Sequence, residues 1–143
     1  MRKFILIMAF AFLGISGFTQ QLQADQVPQF VKDRLQFKFP QTIDIPVSWS
    51  KEKGNYKASI TIMDKPAFMV IDTVGNILWI ERRIHENYLP KKAKEHLKTL
   101  DPKYQIVDIV QITDNKDKVT YKLVAKISTN FTFDSDGSLV GKK

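Results

Sequence analysis

The strongest constraint on this chain is that it repeats itself. Val27–Pro28–Gln29–Phe30–Val31–Lys32–Asp33–Arg34–Leu35 returns 62 residues later as Leu89–Pro90–Lys91–Lys92–Ala93–Lys94–Glu95–His96–Leu97. At the same offset Pro40 meets Pro102, Ile45 meets Val107, Val47 meets Ile109, and Asp72–Thr73–Val74–Gly75 meets Asp134–Ser135–Asp136–Gly137. Between these anchors Tyr56 corresponds better to Tyr121, so one hairpin loop has grown by three residues and the next has shrunk by three. Loops absorb such changes cheaply, whereas packed elements do not. The pattern reads as an ancient duplication, with a first unit over 27–88 and a second over 89–143.

Each unit is expected to form one helix followed by about four antiparallel strands. Pro28 and Pro90 open the helices at a position where a missing N–H costs nothing. Phe30, Val31 and Leu35 supply one apolar stripe, and Leu89, Ala93, Leu97 and Leu100 the other. Pro40 and Pro102 stop the helices. Alternation then takes over, with Ile43, Ile45, Val47 and Trp49 on one face of a strand and Tyr56, Ala58, Ile60 and Ile62 on one face of the next, joined through Lys53–Gly54–Asn55. Phe68–Met69–Val70–Ile71 and Ile77–Leu78–Trp79–Ile80 flank a turn at 72–75. The second unit follows with 106–112, then Val119 to Ile127 by alternate residues, then Phe131 and Phe133, then a short strand at 138–141. Pro46 lies on the polar parity of its strand, which predicts an edge or a bulge. The fold class is therefore α+β, with tandem α-ββββ units and helices packed on one face of antiparallel sheet. A single helix on a small sheet buries too little, so the units should share one body.

Residues 1–24 read as a secretory signal peptide. Arg2 and Lys3 precede an uncharged apolar run from Phe4 to Leu13, and Gly14, Ser16 and Gly17 loosen the segment before Gln20–Gln21. The apolar run is too short to cross a bilayer comfortably, and cleavage is expected after Thr19 or Ala24. The protein is expected in the periplasm or outside the cell, with no stable membrane insertion after cleavage. With no cysteine among 143 residues there is no disulfide framework, no thiolate zinc site and no lipid-modified N-terminus. Two of the 22 basic residues leave with the leader, so 20 basic face 15 acidic residues, a charge of +5. That modest excess carries no dense basic run, and with no groove-reading motif, nucleic acid is not an expected partner.

The Val/Leu-Pro-x-x-Val/Ala-Lys helix, the Phe39–Pro40 or Asp101–Pro102 stop, the Trp-ended strand and the Asp-x-x-Gly hairpin together resemble the PepSY-like, beta-lactamase-inhibitor-protein-like (BLIP-like) domains. These are common among exported proteins of gut-type Gram-negative bacteria. The resemblance covers Val27 to Val140, twice over, through scaffold motifs that carry no functional residue across. It implies a domain that inhibits or chaperones a partner such as a peptidase or a beta-lactamase, the inhibitor protein blocking its target with a concave sheet face. The second unit departs from the pattern at Gln111, where the first has Trp49.

Motifs for chemistry are absent. His96 borders the second helix's apolar stripe and His85 lies at the junction of the units, and neither has the i, i+4 partner or carboxylate spacing of a metalloenzyme. No nucleophile elbow, phosphate loop or dinucleotide fingerprint occurs, so no catalytic, cofactor-binding or metal-ligating residue is assigned and no enzyme is expected. Asp134–Ser135–Asp136–Gly137 is similar to the start of a calcium loop, but Leu139, Val140 and Gly141 follow where further oxygen ligands are needed; turn geometry accounts for it. What remains is surface. Both parities of 68–71 and 77–80 are apolar, so these strands are covered on both faces or expose a patch. Trp79, Met69 and Tyr88, with Lys57, Arg82 and Arg83 nearby, are the candidate partner-binding residues, of types that dominate interface hot spots. The expected function is an exported, non-catalytic module that binds another envelope or secreted protein. The alternative is a periplasmic carrier or sensor of a lipid, glycan or anionic polymer, which would need a cavity between units or a clustered basic face.

Overall fold

A computed structural model describes residues 19–143, so the apolar core of the proposed signal peptide lies outside the described residues. Nine strands form one antiparallel sheet whose spatial order is the chain order: β1 (Gln20–Leu22), β2 (Ser48–Glu52), β3 (Asn55–Ile62), β4 (Lys65–Ile71), β5 (Ile77–Arg83), β6 (Ile106–Asp114), β7 (Val119–Ala125), β8 (Asn130–Phe133) and β9 (Leu139–Lys142). Helix α1 (Gln29–Lys38) precedes β2, and α2 (Lys91–Thr99) links β5 to β6.

Both helices pack on the same face, the inward face. Val31 and Leu35 of α1 join Trp49, Ala58, Ile60, Ala67, Met69, Ile71 and Ile80 in one core cluster. Ala93 of α2 joins Ile84, Ile109, Tyr121, Leu123, Ala125, Phe131 and Phe133 in a second. The register explains this sharing. Trp49, Ala58, Met69 and Ile80 stand opposite one another in sequence across β2–β5, so their side chains form one inward row. Phe30, placed on the first helix's apolar stripe, is instead 43% exposed and leans on the turn at Gly75.

The hairpins follow turn chemistry. Glu52 pairs with Asn55 around Lys53–Gly54, both at positive φ, which is the two-residue turn that matches strand twist. At 72–76 the Asp72 carboxylate accepts the Val74 and Asn76 amides at 2.9 Å, and Asp134 does the same for Asp136 and Ser138 at 3.0 and 2.8 Å. Asp114 makes a third turn of this kind with Lys116 and Lys118. These amide bonds, led by Asn76 for Asp72 and by Lys116 for Asp114, hold both carboxyls below the usual carboxylate range. The carboxylates serve the backbone, as the turn reading expects.

Three elements differ from the sequence expectation. The strand expected over Ile43–Trp49 is displaced: pairing begins only at Ser48 and runs on to Glu52, residues Pro40–Ile43 form a 3-10 turn, Ile43 is 70% exposed and Pro46 lies outside the sheet. Pro40 fixes φ for that turn, so the alternation of Ile43, Ile45 and Val47 is not extended pairing. A ninth strand, β1, pairs Gln20, Gln21 and Leu22 with Lys51, Ser50 and Trp49. Finally, Ile127 lies past β7, 53% exposed.

Candidate functional site

The outward face, which no element among the described residues covers, carries the other parity of each strand. Its central row runs Ser50, Lys57, Val70, Trp79, Asp114, and the next runs Ser59, Phe68, Glu81, Ile112, Thr120. Val70 is 1% exposed and Val110 6%, although neither belongs to a helix-capped core. Their neighbours on the same face therefore close over them, and burying a valine this way stabilises by about 1.5–3 kcal/mol. Trp79, at 40% exposure, is the large side chain left open.

Charges frame this strip. The Lys57 ammonium lies 4.9 Å from the Phe68 ring centre and 3.4 Å from a Glu52 carboxylate oxygen. Arg83 Nε meets Asp108 Oδ2 at 2.6 Å. Lysine stems laid on aromatic rings keep the head charged and wet while covering apolar surface. The face therefore interleaves apolar and charged side chains: Glu81 stands between Phe68 and Ile112, and Lys57 and Asp114 flank the Val70–Trp79 pair.

The six candidate residues divide between three places. Lys57, Trp79 and Arg83 share the outward face. Met69 does not: it is 1% exposed beneath α1, so its placement in a surface patch is corrected. The reason is parity, because Met69 and Trp79 sit on strands whose registered partners are Ile80 and Val70, and adjacent residues of a strand point to opposite faces. Arg82 has inward parity, and it lines a cavity with the 58%-exposed Tyr88 on the helix side of the sheet. The Tyr88 hydroxyl donates to Met63 Sδ there at 3.7 Å. Val70, Val110, Phe68 and Ile112 were missed as outward-face residues; the alternation of 108–114 contained the signal for Val110 and Ile112, once the inward parity was fixed.

No family model matches the chain, and no curated protein does. Several solved structures are similar to it over most of their length. A BLIP-like protein from Bacteroides fragilis superposes with a TM-score of 0.67 at 17% identity, covering 81% of this chain and 84% of that one. The fold is BLIP-like. A DUF2874 family protein from Bacteroides uniformis is similar with a TM-score of 0.67 at 11% identity, over 82% and 88% of the two chains. A protein of Bacteroides eggerthii, assigned provisionally to the periplasm, gives 0.63 at 10% identity over 82% and 88%. At these identities the likeness is one of architecture. No described helix is long and apolar enough to cross a membrane.

Proposed function

We infer that the chain is an exported binding module that docks another protein of the cell envelope through its outward sheet face. The observation that carries this reading is the strip of Phe68, Trp79 and Ile112 over the sequestered Val70 and Val110, on a face without a covering element among the described residues. A monomer has no structural use for an open tryptophan there, whereas an interface does. The leader residues support export, and the resemblance to an inhibitor-like fold supports a protein as the partner. The reading also takes 27–88 and 89–143 as products of a duplication. In support, Gly75 faces Phe30 of α1 while Gly137 faces Pro90 and Ala93 at the start of α2. It makes the chain a non-enzyme.

A photo-crosslinking amino acid at Thr120 on the outward face, and separately at Lys94 on α2, tests this in the producing cells. The expected result is one discrete adduct from position 120 that disappears with Trp79→Ala, because removing such an anchor costs about 2 kcal/mol or more of binding. Adducts from position 94 instead, or an adduct indifferent to Trp79, would overturn the outward face as the docking surface. The identified partner then decides the inhibitor question by direct assay of its activity with and without the purified chain.

A further inference from the structure

Between the regions capped by α1 and α2, the inward face keeps a cavity of about 270 Å³. One wall is apolar, built from Ile62, Met63, Ile84 and Tyr88. The charged groups that line it are Lys65, Arg82 and Arg83, with His85 beside them and no aspartate or glutamate among the lining residues. Arg83 already has its acid in Asp108 on the outward face. Arg82 is different. The strand ladder holds it between Ala67 and Gln111, its parity directs it inward, it is half-buried, and among the described residues it makes no ion pair. A guanidinium drawn partly out of water without an acceptor is costly, and a carboxylate offers it two parallel hydrogen bonds.

Gln111 lines the cavity from β6. At the 62-residue offset it stands where the first unit has Trp49, which is 4% exposed and fills its core. The glutamine is smaller, and its amide Nε2 donates to the Tyr121 hydroxyl at 3.4 Å. The larger cavity of about 540 Å³ beside the end of α1 makes a useful contrast. There Arg34 and Lys38 face Asp72, Asp114 and Asp117, with Lys38 paired to Asp117 at 3.4 Å, so its charges are met from within. The seam cavity instead gathers several cations, with no acid among its lining residues, next to an apolar wall.

We propose that this cavity binds a small amphipathic monocarboxylate, with the carboxylate on Arg82 and the tail against Ile62, Met63 and Tyr88. At roughly 30 Å³ for each water-sized group, the volume admits about nine non-hydrogen groups, which is a three-atom carboxylate on a tail of about six carbons. Of the outward-face candidates only Arg83 also lines this cavity, and the site holds whether or not that face docks a protein.

The test uses isotopically labelled protein, expressed with its leader and purified from the envelope of the producing cells, titrated with octanoate, octanol and acetate by amide NMR. Octanoate is expected to give saturable shifts at residues 62–65, 82–88 and 111, with octanol and acetate at least tenfold weaker. Arg82→Gln should weaken octanoate at least tenfold, and Arg82→Lys less. Met63→Glu changes a 70%-exposed residue and places a like charge at the cavity, so it reads the same loss should Arg82→Gln fail to fold. Absence of saturable shifts, octanol binding as well as octanoate, shifts centred on Trp79, or octanoate binding that survives these substitutions would each overturn the proposal.

Discussion

Gly54 and Gly137 occupy hairpin turns with nearly the same backbone, φ +83° and +85°, yet their neighbourhoods differ. A Cβ on Gly54 would meet nothing within 4 Å, while one on Gly137 would lie 2.8 Å from the Ala93 amide nitrogen and 2.8 Å from Pro90 Cβ. The first substitution to alanine carries only the strain of a left-handed L-residue, about 1 kcal/mol. The second must also push α2 off its turn, and should cost about 3 kcal/mol or more. Urea unfolding of the two variants checks this, with equal losses counting against a close turn–helix contact at Gly137. The same single-residue scale decides Trp79 and Met69, where a one-place change of parity separates an open anchor from a core side chain.

At the scale of elements, β1 is the part whose loss is easiest to stage. Its three residues pair with Trp49–Lys51 of β2, and Leu22 packs on the first core. A chain beginning at Asp25 lacks them and leaves the β2 edge and one side of Trp49 open. It is expected to lose about 2 kcal/mol, roughly 5–10 °C in Tm, relative to a chain beginning at Gln20. Equal thermal stability of the two would mean β1 is ornamental. Of the two cleavage positions expected from the leader, the one after Thr19 keeps this strand and the one after Ala24 discards it. The strand was invisible beforehand because Gln20–Gln21–Leu22 has no alternation and adjoins the leader; only its partner on β2 gives it a shape. Helices α1 and α2 and most hairpins were legible, since proline, glycine and aspartate act locally. The face of β4 was not: 68–71 is apolar at both parities, and only pairing distant in sequence assigns Met69 inward and Val70 outward. Arg82 escaped notice as an inward residue for a related reason, because a charged side chain on a core parity looks like a surface one until the neighbouring strands are in register.

The molecule as a whole is a meander in which every strand pairs only with its neighbours in the chain. Most connections are tight hairpins, such as Lys53–Gly54 between β2 and β3 and Met63–Asp64 between β3 and β4. Between β5 and β6 the chain instead runs through residues 84–105, which include α2. Among the described residues, that β5–β6 ladder is also the one that joins the strands of the first core to those of the second. Pulse-labelling hydrogen exchange during refolding should protect β3–β4 and β6–β7 amides before those linking Glu81 and Arg83 to Ile112 and Val110; simultaneous protection would contradict this order. Chain entropy in such a topology is lost locally and early. The step that sets the folding rate is then the meeting of two half-sheets, a collision between nearly finished surfaces in place of a search for distant partners.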